Sequence, residues 1–312
     1  MEKCNSQPVL QNTDLPLPLF LRGKVRDTYD LDNYLLLIAT DRISAFDVVL
    51  PCGIPNKGLV LNQLSAFWFR QTSHLVPNHL VEAIDDVQQL ATFLPEGSQF
   101  PYPAYLAGRS MVVKKVKRIP VECVVRGYIS GSAWAEYQQS GTVSGMAMPK
   151  NLKESQELSQ PLFTPTTKAD TGHDMPLTLQ EVEKLVGASL AGEIQQTSMA
   201  IYNYAREYAK AENVIIADTK MEFGLDGDKL ILIDELLTPD SSRFWDGAQY
   251  QADQSQPSYD KQPVRDWLVQ SGWNKEPPAP VLPADVITST TQRYEEAYQR
   301  LTGRELNKYL PL

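Results

Sequence analysis

Apolar and polar positions change period several times along the chain, and each change marks an element. GKVRDTYDLDNYLLLIATDR (23–42) carries two β-prone stretches around a turn near Asp30 to Asn33, with FDVVLP (46–51) as a further strand. NKGLVLNQLSAFWFRQTS (56–73) sets Leu61, Leu64, Phe67 and Trp68 on one side of a helix. RSMVVKKVKRIPVECVVRGYI (109–129) predicts two strands joined at the Arg-Ile-Pro corner. SGSAWAEYQQSG (130–141) predicts a short helix capped by Ser130 or Ser132 and stopped by Gly141. Residues 145–177 are rich in Pro, Thr, Lys and Ser and show little period, so they read as a long functional or disordered loop. The segment 178–213 predicts two helices, the second running to Glu212. Two more helices follow, separated by NKEPPAPVLP, with Gly303 stopping the last. No internal repeat or heptad pattern is present.

The expected fold is α+β. A strand-rich antiparallel lobe spans 1–120, and a mixed α/β lobe spans 121–312. The strand at 121–129 softens the boundary.

Composition narrows the function classes. The chain has 312 residues and a net charge of −9, which argues against a general nucleic-acid or anionic-membrane binder, while leaving room for a locally basic site. Three cysteines without CxxC spacing fit reduced thiols rather than a disulfide framework or a zinc site. His74 and His79 are five apart, the wrong spacing for one helical face. LPLPLFL reads as an extended lead-in strand, not a signal peptide, and no apolar run reaches membrane-spanning length. A cytoplasmic protein is expected, and a monomer is compatible with the sequence.

The most unusual stretch is ADTKMEFGLDGDKLILIDELLTPDSSRFW (217–245). Asp218, Lys220 and Glu222 fall on one strand face, and the return strand brings Asp234 and Glu235. Carboxylates clustered in a hairpin of Ile, Leu and Phe repel one another unless a cation intervenes. Two carboxylates beside a lysine suit a Mg2+–phosphate arrangement, with Glu222 and Asp234 as metal ligands and Lys220 on the phosphoryl group. Strand parity sets a condition. Glu222 and Asp234 meet only if the register pairs them directly or at a two-residue offset, and direct pairing needs an odd-length turn centred on Asp228 or a bulge. A plain four-residue turn at 226–229 removes that geometry. Glu235 is expected to face away.

Several segments, taken in order, carry a family resemblance. They are RGKVRD (22–27), ATDRISAFDVVLP (39–51), IPNKGLVLNQLSAFWF (54–69), PVECVVRGYISGSAWAEY (120–137), LFTPTTKAD (162–170), DTKMEFG (218–224), DELLTPDSSRFW (234–245) and SYDKQPVRDWL (258–268). Together they resemble phosphoribosylaminoimidazole-succinocarboxamide synthase (SAICAR synthetase), in its longer form. The resemblance implies a two-lobed fold with an ATP cleft between the lobes, related to kinase and ATP-grasp architectures. It also implies ATP-dependent ligation of L-aspartate to the carboxylate of carboxyaminoimidazole ribonucleotide, with Mg2+.

Roles follow by resemblance. Gly23, Lys24, Arg26, Lys114 and Glu122 would serve ATP. This is not a GxxxxGK[ST] loop, which disfavours a P-loop NTPase. Arg126, Ser132, Asp240, Ser241 and Arg243 would bind the nucleotide substrate. Asp41, Arg42, Ser44, Lys168, His173 and Asp174 would serve aspartate, the last three from a loop that could close as a lid. Asp218 is a candidate proton acceptor. KADTGHDMP (168–176) departs from the more acidic run the family would carry there. A small-molecule kinase of similar architecture and an inactive nucleotide-binding module are the competing readings. The first lacks an HRD-type motif, and the second would predict losses at Lys24, Lys220, Glu222 or Asp234.

Overall fold

The computed structural model describes residues 8–94, 97, 100–168 and 175–306. In the first part of the chain, β1 (Leu19–Arg22), β2 (Arg26–Leu31) and β3 (Tyr34–Ala39) are followed by the hairpin β4 (Arg42–Ala45) and β5 (Val48–Gly53). Helix α1 (Lys57–Gln71), β6 (Leu80–Ile84) and β7 (Ser110–Lys114) complete it. Strands β1-β2-β3-β7-β6 form one antiparallel sheet in that order, and β4 with β5 stands apart. Only the end of LPLPLFL joins the sheet, because Pro16 and Pro18 have no N–H for a ladder.

The second part opens with β8 (Lys117–Tyr128), α2 (Gly131–Ser140), β9 (Thr142–Val143) and β10 (Met146–Ala147). Then come β11 (Glu157–Phe163), β12 (Thr166–Thr167), α3 (Leu179–Val186) and α4 (Ala188–Ala211). The chain finishes with β13 (Val214–Asp226), β14 (Lys229–Ile233), β15 (Ser242–Asp246), α5 (Gln262–Gln270) and α6 (Ala284–Thr302). The second sheet runs β11-β8-β13-β14, with β12 also on β8 and β15 also on β13. Among the described residues, no helix is long and apolar enough to cross a membrane.

Three expectations need correction. The chain passes between the two sheets at Lys115–Val116, and the Arg-Ile-Pro corner lies inside β8. Pro120 is tolerated there because the β8–β13 register shifts between Glu222 and Gly224, a bulge at which no ladder donor is required. The period-poor stretch 145–177 is not one long loop: β11 and β12 pair with β8. Its pattern is hidden because those strands are short and interrupted by Pro161 and Pro165. Helix α1 is buried nearly all round rather than on one face. Its polar residues are satisfied internally: Asn62 donates to the Gly108 and Ser110 carbonyls at 2.9 and 3.1 Å, and Gln63 to Gly108 at 2.8 Å.

One core joins the two sheets. Leu59, Leu64, Trp68 and Phe69 of α1 pack with Val121 and Val125 of β8, Ile201 and Tyr202 of α4, and Met221 and Phe223 of β13. The N-terminus of α1 is tied to the end of β3 by Asp41. Its carboxylate accepts from Gly58 N (2.9 Å), Leu10 N (2.7 Å) and Arg109 Nη1 (3.0 Å). This approach requires glycine at 58, where a Cβ would stand 2.2 Å from the Ala39 carbonyl oxygen. Gly58→Ala is therefore expected to cost about 1–3 kcal/mol or more, read as a lower thermal midpoint.

Among the left-handed residues that are not glycine, three lie beside the cleft between the two sheets. The β4–β5 loop holds Phe46 (φ 51°) and Asp47 (φ 65°), and Asp234 (φ 67°) follows β14. Such a conformation costs an L-residue roughly 1–2 kcal/mol, so each is held by its surroundings.

Candidate active site

A cleft of about 750 Å³ opens between the two sheets, lined on one side by β1 to β3 and β7 and on the other by β8, β13 and the residues after β14. Its apolar part includes Leu35, Leu37 and Val113, and its polar part includes Gly23, Lys24, Arg26, Lys114, Glu122, Lys168, Lys220, Glu222 and Asp234. Nine residues expected at ATP, metal or lid positions thus meet in one place. Ser44 and Asp240 also line it.

On β8 and β13, Glu122 and Glu222 are directly opposed. Like charges in that position repel, and two lysines lie between them. Lys168 Nζ is 2.7 Å from Glu122 Oε1 and 2.6 Å from Glu222 Oε1, while Lys220 Nζ is 2.6 Å from Glu122 Oε1. Burial pushes the Glu122 carboxyl up, but Lys220 and Lys168 outweigh it and leave it below the usual carboxylate range. Burial likewise opposes the charge on Lys168, yet Glu222 and Glu122 hold its pKa above the ordinary lysine value. Glu222 itself is pushed up, first by burial and then by Asp234.

The β13–β14 turn corrects the parity expectation. Asp226 pairs with Lys229 and Glu222 with Ile233, a plain turn with no bulge, so strand alternation alone would separate the two carboxylates. Alternation stops at Ile233, however. The left-handed backbone of Asp234 turns its side chain into the same cleft, 2.7 Å from Arg26 Nη2. Burial raises the Asp234 carboxyl, but Arg26 and Lys220 hold it well below the usual range. Glu235 does not face away, since it lines the cleft and lies 3.7 Å from Arg26.

A second cluster sits two residues along β13 from Lys220. Asp218 takes Arg126 Nη1 at 3.2 Å and pairs with Arg243. Arg126 also donates to Thr164 Oγ1 (3.0 Å) and Ser132 Oγ (3.4 Å). Gly131 (φ 56°) opens α2 against Arg243, whose Nη2 would be 2.3 Å from any Cβ there. Ser130 holds the capping position, but it makes no capping bond, and its buried Oγ has no hydrogen-bond partner among the described residues.

Other expected site residues have their polar groups engaged within the fold. Asp41 and Arg42 do not line the cleft. The Asp41 carboxylate is filled by the bonds given above. Arg42 donates to Gln11 O, Lys24 O (3.2 Å), Gly23 O (3.0 Å) and Asp27 (2.7 Å), so it shapes the 23–24 loop from beneath. The Asp240 carboxylate is also filled, by Lys57 Nζ and Tyr294 Oη, each at 2.7 Å. Ser241 Oγ is turned inward and accepts from Thr238 N at 3.1 Å. His173 and Asp174 lie outside the described residues.

Lys261, His79 and Asp47 are among the cleft residues that the sequence did not assign to the site. Lys261, at the start of α5, lies 3.8 Å from Asp240, with burial depressing its pKa. Its segment SYDKQPVRDWL was the available signal. Burial pushes the His79 pKa down to about 4, keeping the ring neutral beside Asp234. Asp47 pairs with Lys24 across the cleft mouth. ATDRISAFDVVLP contains Asp47 and was the signal there, whereas nothing local in the sequence marks His79.

The chain resembles known proteins along nearly its full length. The family profile described as SAICAR synthetase matches residues 19–280. A phosphoribosylaminoimidazole-succinocarboxamide synthase of Thermodesulfovibrio yellowstonii is 50% identical over 298 residues, covering 95% of this chain and 99% of that protein. One from Elusimicrobium minutum is 49% identical, covering 94% and 98%. Among solved structures, a SAICAR synthase from Saccharomyces cerevisiae complexed with SAICAR superposes with a TM-score of 0.85 at 45% identity, covering 95% and 99%. A SAICAR synthetase solved with ADP shares the fold, with a TM-score of 0.65 at 22% identity. A two-lobed α+β chain whose cleft gathers these lysines and carboxylates, matched over this length, belongs to the SAICAR synthetase family, the ATP-dependent ligases that join L-aspartate to carboxyaminoimidazole ribonucleotide in purine biosynthesis.

Proposed function

We propose that the inter-sheet cleft binds ATP and that the Arg126–Asp218–Arg243 cluster beside it binds the nucleotide substrate, so that the scissile phosphate and the acceptor carboxylate meet along β13. The observation that carries this reading is the spacing on one strand face: Asp218, Lys220 and Glu222 link the arginine cluster to the carboxylate–lysine group of the cleft. A carboxylate is a poor electrophile. Phosphoryl transfer from ATP to one of its oxygens creates an acyl phosphate. The aspartate amine then attacks the carbonyl carbon, expels phosphate and loses a proton.

In this reading Gly23 and Lys24 cover the phosphates, Leu35, Leu37 and Val113 receive the base, and Lys220 with Lys168 offsets negative charge on the transferring group. Arg126, Arg243 and Ser132 hold the nucleotide phosphate. Asp218 orients the two arginines and is the candidate acceptor of the amine proton. Ser44, Lys168 and Lys261 form the surroundings proposed for aspartate.

The residues present fit Mg2+. Glu222 and Asp234 are hard oxygen donors, and the burial and mutual repulsion that raise Glu222 are relieved by a cation. Among the described residues no group of three or more His, Cys, Asp or Glu could hold a metal, so the Mg2+ assignment rests on these two carboxylates alone. Glu222 and Asp234 would hold the ion, which would supply positive charge against the negative charge of the transferring phosphoryl group. The proposed partners are thus ATP, the carboxyaminoimidazole nucleotide and L-aspartate in the cytoplasm, with neither nucleic acid nor membrane. The comparisons lend no support to a kinase or an inactive module.

The test is ADP release measured with each substrate omitted in turn. Release is expected only with ATP, Mg2+, nucleotide and L-aspartate together, and aspartate-independent release would favour a kinase. In the same assay Arg243→Lys is expected to raise the nucleotide KM about 10–100-fold, because lysine has no planar fork for phosphate. An unchanged nucleotide KM would remove Arg243 from the substrate site.

A further inference from the structure

The β4–β5 turn shows a feature that the roles above leave unexplained. Ala45 pairs with Val48, so Phe46 and Asp47 form a two-residue loop in which both have positive φ, 51° and 65°. Such loops ordinarily carry Asn-Gly or Gly-Gly, and an aromatic residue there is strained. The strained tip lies at the cleft mouth. Ser44 and Asp47 line the cleft, and Asp47 pairs with Lys24 on the glycine loop.

What holds Phe46 comes from the far end of the chain. The Trp273 ring packs edge-on against it at 6.5 Å between centroids, and Lys275 Nζ sits over its face at 4.7 Å. Trp273 is itself fixed, since its Nε1 donates to the Glu276 carbonyl at 2.7 Å. The hairpin stem is packed by the same region, with Ile43, Leu50 and Cys52 against Val264, Leu268 and Leu282. We infer that Trp273 and Lys275 are positioning residues for the ligase reaction: they clamp the Phe46 side chain, hold the left-handed turn, and so set Ser44, Asp47 and, through Asp47, the Lys24 loop at the cleft mouth. The inference rests on the reading of that mouth as the place where ATP phosphates and aspartate enter.

The test is steady-state kinetics of the full chain. Trp273→Ala is expected to raise KM for ATP and for L-aspartate about 5–10-fold, with kcat within about twofold and the nucleotide KM unchanged. Trp273→Phe should restore most of the loss, and Lys275→Ala should give a smaller change of the same kind. Phe46→Asn suits a left-handed turn without a clamp, so adding Trp273→Ala to it should change nothing further. Circular dichroism and thermal melts establish that each variant is folded. A fall in thermal midpoint without any change in KM would overturn the inference in favour of simple packing, as would an equal Trp273→Ala effect in the Phe46→Asn background. If Lys24→Met and Ser44→Ala also leave both KM values unchanged, the reading of the cleft mouth itself falls, and the inference with it.

Discussion

Glu222→Ala and Asp234→Ala are each expected to lower kcat by about two to three orders of magnitude while leaving a folded protein. The catalytic loss follows because these are the carboxylates assigned to Mg2+ at the point of phosphoryl transfer. Retention of the fold follows from their partners. Lys168 keeps Glu122 at 2.7 Å when Glu222 is removed, and Arg26 keeps Glu235 at 3.7 Å when Asp234 is removed. Neither change therefore strands a buried cation. For Glu222 the linkage has a definite sign. Its folded pKa is raised above 4.5, so ionising it costs stability as pH rises from the ordinary value through the raised one. Glu222→Gln removes that cost, so its activity should fall while its melt at neutral pH does not. The metal dependence supplies a further readout, since both alanine variants should need more Mg2+ for half-maximal rate. Loss of soluble protein in both would show instead that the pair is structural.

Lys57→Met is expected to lower stability by about 3–5 kcal/mol, roughly a 10 °C fall in thermal midpoint for a chain of this size. The Lys57 side chain is fully buried, with its Nζ 2.7 Å from Asp240 Oδ2. Burial alone would raise the Asp240 carboxyl, but Lys261 and Lys57 hold it well below the usual range. Removing Lys57 leaves that charge with the Tyr294 hydroxyl and a Lys261 ammonium 3.8 Å away. The cost is therefore of a charge left buried rather than of one hydrogen bond. Lys57→Met with Asp240→Leu should recover part of the loss, because neither charge then remains to be compensated. A midpoint within about 2 °C of the parent for the single variant would contradict this.

The two predictions differ in how far the sequence alone could have led to them. Glu222 and Asp234 stand out because four carboxylates and a lysine interrupt Ile- and Leu-rich strands, a local conflict that points to function. Lys57 gives no such signal. It opens helix α1 within the polar NKG triplet, and its partner is 183 residues away. The same distance effect accounts for Asp41 and Arg42. A polar knot between apolar strands looks like a substrate contact. Here it closes hydrogen bonds to Gly58, Arg109, Gln11 and the 23–24 loop, which no local window contains.

Outside 145–177 and the Arg-Ile-Pro segment, the sequence by itself determined most element types, because period two, period 3.6 and capping residues are local properties of the backbone. Helices α3 to α6, the β2–β3 turn and the stops at Gly141 and Gly303 follow from them. Through the order of its motifs it also determined the family and the residues worth suspecting. Tertiary structure decided which suspected charges face the substrate and which brace the fold, since both kinds are polar residues at strand ends and differ only in distant partners. It also decided the fate of the 222–234 pair. Strand alternation is a rule for continuous strands, and it separates the two carboxylates across a plain turn. One left-handed residue after Ile233, held by Arg26 from the other sheet, returns Asp234 to the side of Glu222.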